Sequence, residues 1–233
     1  PELMRILLDE AQLGWDQAVG EGVMPALQKV HFAIAKIDHQ LNASHRLSLR
    51  EFWFKNDSPY NVGGGANTIQ RGTDFNDKMN TAAAQLISQF GGTRLNELRV
   101  QYAVRDQSRT ASDESITGPA INITGAQAMN FGSPLDGTAS AGFIFNTKIF
   151  QIVNNFSWTV GKHSMKAGID FQNISDTRQN TLRAIYTFNS VAAYNAAKSG
   201  LTPRGYSSYT QDLGDPTASY SSKFIGLFIQ DDV

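Results

Sequence analysis

The sequence has 233 residues, a formal net charge of −1, 41% hydrophobic content and no cysteine. Near-neutrality gives no basic footprint for nucleic acid and no polybasic anchor for anionic lipid. The missing cysteine removes disulfides, thiolate catalysis and cysteine-held zinc or iron–sulfur sites. No window approaches the roughly 18 consecutive apolar residues of a membrane-spanning helix; even Phe224 to Ile229 is broken by Gly226.

The chain opens Pro1-Glu2-Leu3-Met4, without a basic region, an apolar core and a cleavage site. It reads as a segment that begins and ends inside a larger protein. Leu3, Ile6, Leu7 and Ala11 recur at helical spacing, with Pro1 suited to a start and Gly14 to an end. This predicts a short loop helix.

After Gly22 the period changes to two, which places successive side chains on opposite faces of a strand. Over 32–41, Lys36, Asp38 and Gln40 alternate with Ala35, Ile37 and Leu41. Over 46–54, Leu47 and Leu49 oppose Arg46, Ser48 and Arg50, but then Glu51 falls on the apolar side and Phe52 and Phe54 on the polar side. A β-bulge near Arg50 would restore the pattern, because one extra residue flips every later side chain. The sequence leaves the bulge open. A weaker strand covers 82–90.

The clearest alternation runs from Asn96 to Arg105, with Leu98, Val100, Tyr102 and Val104 against Glu97, Arg99, Gln101, Ala103 and Arg105. From 150 to 159, Phe150, Ile152, Phe156 and Trp158 oppose Gln151, Asn155, Ser157 and Thr159; Val153 and Asn154 break the rule. From 164 to 172, Met165, Ala167, Ile169 and Phe171 oppose Ser164, Lys166, Gly168, Asp170 and Gln172. A last strand covers 223–232.

The connections alternate strictly between short and long. Residues 42–45, 91–94 and 160–163 read as hairpin turns. The segments 55–81, 107–147 and 174–222 are long, polar and turn-rich, with Gly63-Gly64-Gly65, Gly118-Pro119, Ser133-Pro134 and Gly214-Asp215-Pro216. Loops of such length are usually functional or disordered. Within the third, Ser190 to Gly200 is predicted as a short helix with Ser190 as its N-cap and Gly200 just past its end.

Charge in the middle of the polar faces (Glu97, Arg99, Arg105, Lys166, Asp170), aromatic residues near strand ends on the apolar faces (Tyr102, Phe150, Trp158, Phe171) and turn-versus-loop wiring favour an outer-membrane barrel over a soluble sandwich. Such a sheet must close on itself, because the bilayer offers no water to unpaired backbone groups. Seven strands are an odd number and bacterial barrels have even ones. The expected fold is therefore all-β: an antiparallel transmembrane β-barrel segment of about seven strands from a larger barrel, with long loops and short loop helices. Its organisation is a loop or short helix over 1–29 and a partial outer-membrane β-barrel over 30–233.

Several stretches resemble Oar-like TonB-dependent receptors: Ala35 to Asn42 with His45 to Arg50, Leu95 to Arg99, Phe156 to Thr159 with Gly161-Lys162-His163 and Lys166 to Phe171, and Gly226 to Asp232. Val233 stands where that family usually has Trp. The resemblance covers roughly 30–233. It implies a plugged barrel of about 22 strands in the bacterial outer membrane that takes up a large substrate. The implied partners are outer-membrane lipid, the plug domain and the rest of the barrel, and TonB through an N-terminal part that this sequence does not contain. Substrate identity is not implied.

No enzyme is expected, as no catalytic constellation survives inspection. There is no Gly-x-Ser-x-Gly elbow, and Gly63-Gly64-Gly65-Ala66-Asn67 lacks the Lys of a phosphate loop. Of His31, His39, His45 and His163, the last two occupy short turns and neither is read as having a second His or Cys at metal spacing. Asp74 with Asp77, or Asp212 with Asp215, lacks the Gly and bidentate Glu of a calcium loop. The expectation is no cofactor, no metal and no nucleic acid. The candidate functional residues are lumen-facing Arg50, Glu97, Arg99, Arg105, Lys166 and Asp170, touching either substrate or plug. The competing readings are another outer-membrane barrel, such as a porin or adhesin translocator, and a soluble all-β binding module.

Overall fold

The computed structural model describes residues 27–61, 66–135 and 142–233. The helix expected at the start of the chain lies outside the described residues. The strands, in chain order, are β1 (Lys29–Asn42), β2 (His45–Ser58), β3 (Thr73–Phe90), β4 (Arg94–Ala111), β5 (Ala120–Ile123), β6 (Met129–Gly132), β7 (Phe143–Val160), β8 (His163–Asn180), β9 (Ala184–Phe188), β10 (Ser208–Gln211) and β11 (Thr217–Asp232). One α-helix, α1 (Val191–Lys198), lies between β9 and β10.

The long strands form one seven-stranded sheet in the order β1-β2-β3-β4-β7-β8-β11. Every pair in it is antiparallel, so the β1–β2, β3–β4 and β7–β8 turns all lie at one end. Each turn has a local cause. Asn42 accepts a hydrogen bond from the Ser44 amide at 2.9 Å in the first. Gly91 and Gly161 adopt φ of +66° and +62° in the other two, a region that costs a side-chain-bearing residue.

Pairing is staggered from hairpin to hairpin. Leu49, Ala84, Val100, Ile152 and Phe171 lie in one row across the sheet. Along their strands they stand four residues beyond His45 (Leu49), six beyond Arg94 (Val100) and eight beyond His163 (Phe171). A shift of one residue per strand sets about 3.3 Å along the strand against about 4.8 Å across it, a tilt of about 35°, which is the tilt of a closed barrel.

The two faces differ. Outward residues in the lower half are mostly apolar, with Glu51 and Asn154 among the exceptions: Leu49 opposite Ala84, Leu98 opposite Leu86, Tyr102 opposite Phe150, Ile169 opposite Leu227. Trp158 stacks on Phe156 near the turns, with centroids 5.7 Å apart. Outward charge returns at Lys55, Lys78, Asp106 and Lys148, ten to twelve residues from the turn ends of their strands. At the inferred tilt this apolar band is about 27 Å tall, close to the roughly 25 Å band of outer-membrane barrels.

The buried polar residues Asn56, Ser58, Thr73, Asp77, Thr81, Asn155 and Asp176 lie on the other face; among buried strand polars only Ser88 does not. Side chains converge on the concave side of a curved sheet and diverge on the convex side. The polar face is therefore the concave, lumen-side wall.

No bulge occurs near Arg50: the β2–β3 register is continuous from His45 to Ser58, and the β1–β2 shift falls at Gln40/Asn42 beside the turn. Phe52 and Phe54 point inward because Ile34 and Phe32 stand opposite them on the same face. Glu51 points outward between Ala35 and Ala82. On β7, Val153 lies inward opposite Arg99 and Asp170, and Asn154 lies outward opposite Leu98 and Ile169.

The connections at the far end are shorter than 55–81, 107–147 and 174–222, because the strands continue to Ser58, Ala111 and Asn180 and resume at Thr73, Phe143 and Thr217, and they carry structure of their own. β10-β9-β5-β6 make a second sheet in which β5 and β9, from different connections, pair in parallel. Ile123, Phe131, Phe188 and Val191 form its core, and Tyr194 meets Phe131 and Phe188 edge-on. The predicted helix is present. Ser190 accepts from the Ala193 amide and Gly200 follows the end at φ +76°. In the β4–β5 connection, the Ser115 hydroxyl and amide both donate to Asp113 and hold its carboxyl below the usual range.

Candidate functional site

Strand alternation places Arg50, Glu97, Arg99, Arg105, Lys166 and Asp170 on the concave wall, and cross-strand pairing arranges them in layers. Lys166 is nearest the turns, opposite Ser157 and Gln230. Glu97 comes next. It accepts from Gln85 Nε2 at 2.5 Å and meets Arg99 Nε at 3.3 Å.

Above Glu97 lies a trough of about 450 Å³ with Ala83 in its floor. The short Ala83 side chain leaves a dip between Arg50 and Gln101, its partners on either side. Lys36, Arg50 and Arg99 bring positive charge to the lining, and Gln85, Gln101, Gln151 and Asp170 are among its other members. Gln151 donates to both oxygens of Asp170, at 2.9 and 3.1 Å. Lys36 pairs with Asp38 at 2.9 Å and Arg99 with Glu97, while no carboxylate among the described residues pairs with Arg50. Of the six residues chosen from sequence, Arg50, Arg99 and Asp170 thus share one trough.

Arg105 does not join them. It lies nearer the loop end and makes a two-pronged ion pair, Nε and Nη2 to the two Asp77 oxygens at 3.0 and 2.6 Å. Gln107 donates to the same carboxylate at 3.1 Å. Asp77 is buried, so this pair braces the wall, and bidentate geometry makes it strong. The sequence reading missed Asp77 because it weighed that residue only as a metal ligand with Asp74. Asp74 is on the opposite face, where it accepts from the Tyr60 amide at 3.0 Å and the Ser112 hydroxyl at 2.5 Å. Asp212 is likewise occupied by Arg183 at 2.9 Å.

Between the trough and the Arg105–Asp77 pair runs an apolar belt: Ile34, Phe52, Ala103, Ile149 and Ile174 share one row, broken by Thr81. Phe32, Phe54 and Met79 extend it in the next row. The sequence carried a trace of this belt, in the inward Phe52 and Phe54 that broke the alternation. The wall as a whole offers charged, amide and apolar contact surface.

The sequence matches the family model described as outer membrane beta barrel domain over residues 19–233. No curated protein sequence matches it. Among solved structures it is similar to the outer membrane transporter YddB from Escherichia coli, with a TM-score of 0.56 and 10% identity over 87% of this chain and 25% of that one. The ferric citrate transporter FecA in its unliganded form gives 0.37 at 11% identity, over 87% of this chain and 25% of that one. The chain thus spans about a quarter of the length of each. By the family match and by an apolar convex band around a polar concave wall, the chain belongs to the outer membrane beta barrel domain family and forms barrel wall in the bacterial outer membrane.

Proposed function

We propose that the chain is part of the barrel of a TonB-dependent transporter that takes up a large substrate, and that it performs no catalysis itself. The observation that carries this reading is the apolar belt on the concave wall. An open pore holds water, and two neighbouring rows that carry Phe, Ile and Met towards it are costly, even with Thr81 between them. The belt becomes favourable when a folded domain fills the lumen, as in a plugged barrel. Likeness to an outer membrane transporter supports the same reading.

In this reading the belt packs against the plug. Arg50, Arg99 and Asp170 in the trough, with Glu97 and Lys166 below, contact the plug or the substrate. Outer-membrane lipid covers the convex band, and TonB acts through the N-terminal part of the parent protein.

The test uses the full-length parent protein in planar bilayers. The expected result is no steady conductance until the lumen-filling domain is deleted, and then large channels. Steady open-pore conductance of the intact protein would favour a porin and overturn the proposal. Loss of substrate uptake in cells lacking TonB would support the energy coupling; unchanged uptake would remove it.

A further inference from the structure

We propose that the concave wall just above the hydrocarbon band is a binding site for a solute that presents a flat ring beside an anionic group. The site rests on the reading above, in which this wall lines a solute path. Its six residues come from five strands: Phe75, Arg109, Phe143, Phe145, Arg178 and Tyr220.

The rings of Phe143 and Phe145 stack with centroids 4.5 Å apart and planes 19° apart. An arginine stands in register on each side of them. Arg109 stands opposite Phe143 in the β4–β7 pairing, and Arg178 stands opposite Phe145 in the β7–β8 pairing. Arg109 also lies over Phe75, 4.9 Å from its centroid, and Arg178 lies 4.9 Å over Phe145 and 6.0 Å from Tyr220. The six side chains thus form two neighbouring aromatic and guanidinium groups on one face, joined in register where Arg109 stands opposite Phe143.

The two cations differ in what occupies them. Arg178 is neutralised by buried Asp176 at 3.1 Å, and Tyr220 donates to the same carboxylate at 2.9 Å. Arg109 has no carboxylate partner among the described residues. Its Nη1 donates to two neutral acceptors, Asn61 Oδ1 at 3.0 Å and Thr73 Oγ1 at 3.1 Å. Those bonds fix the plane of the guanidinium without cancelling its charge. An oriented guanidinium without a carboxylate partner, over one ring and in register with a stacked pair, has two complementary uses: charge-assisted bonding to an oxyanion, and stacking against a flat apolar face.

Height fits a ligand from the aqueous side. Arg109 is fifteen residues beyond Arg94, and Phe145 is fifteen before Val160. Both stand above the level where Lys55, Lys78, Asp106 and Lys148 return charge to the outer face. The partial exposure of Phe143 and Phe145 leaves ring surface for a solute.

The experiment uses full-length parent protein in detergent and three small probes: benzoate, benzamide with the same ring and no charge, and acetate with the charge and no ring. Saturation-transfer NMR titration reads binding of each. Benzoate is expected to saturate, with benzamide and acetate each about tenfold weaker, the scale of one charge-assisted contact. Arg109→Gln should weaken benzoate about tenfold and leave benzamide unchanged. Asn61→Asp, which sets a carboxylate against Arg109 without removing it, should do the same. It keeps the proposal open to refutation if Arg109→Gln fails to fold. Benzamide binding as tightly as benzoate, or benzoate binding unchanged in a folded variant, would overturn the site and show that these rings and guanidiniums only brace the wall. Because uptake plays no part in this assay, a protein that binds benzoate yet transports nothing would refute the transport reading alone.

Discussion

Val100 and Gln101 are sequence neighbours with opposite surroundings. Val100 faces outward between Ala84 and Ile152, mid-way up the apolar band; Gln101 faces the trough between Ala83 and Gln151. In the complete parent barrel, Val100→Arg should cost about 2–4 kcal/mol, the range for a basic residue at mid-depth on the lipid face. Gln101→Arg should cost much less, since the guanidinium stays wet. Reversible unfolding in lipid vesicles measures both, and equal costs would mean the faces are reversed. Gly168 gives a second test. A Cβ there would run into the Phe228 ring and Asn155 Oδ1, so the glycine is a slot that lets an aromatic ring lie across the strand. Gly168→Ala should cost about 1–3 kcal/mol by overpacking. Adding Phe228→Leu should recover most of it; a double mutant no better than the single would show that the backbone, not the ring, sets the constraint.

The small sheet of β5, β6, β9 and β10 is the element with its own apolar core, and α1 closes it. The cap at Ser190 ties the helix to the end of β9, where Phe188 is buried. Ser190→Ala should remove about 0.5–2 kcal/mol. The loss should be local, because the small sheet has a core of its own and can open separately. Hydrogen exchange should quicken at amides of β5, β9 and α1 and stay unchanged at β7 and β8. Equal acceleration in both sheets would show that loops and wall unfold as one unit.

At the scale of the whole molecule, the seven-stranded sheet has two unpaired edges, β1 and β11, and a convex face carrying exposed Ile37, Leu49, Ile169 and Leu227. Edges invite pairing with other chains, and an apolar face of this extent invites association. The isolated 233-residue chain should therefore associate in plain buffer. Sedimentation velocity with urea unfolding decides it: a monomer that unfolds cooperatively would contradict the barrel-wall assignment. In detergent the same chain should present its convex face to the micelle and remain dispersed.

The sequence by itself determined the turn-end parts of the seven long strands, their two faces, the three turns and the capped helix. All of these are local: period-two alternation, glycine at positive φ and a serine hydroxyl on an amide three residues on depend on neighbours within a turn. Arg50, Glu97, Arg99, Arg105, Lys166 and Asp170 were placed on one face for that reason. Which of them meet was decided by tertiary pairing. The stagger of one residue per strand brings Arg50, Arg99 and Asp170 into a trough and sends Arg105 to Asp77, 28 residues away in sequence. The bulge near Arg50 was undecidable locally, because Phe52 and Phe54 look misplaced until Ile34 and Phe32 are seen opposite them. The small sheet was invisible for the same reason. Its strands are four or five residues long, too short to show a period, and their stability comes from a parallel pairing between β5 and β9, which the chain reaches only after building β7 and β8.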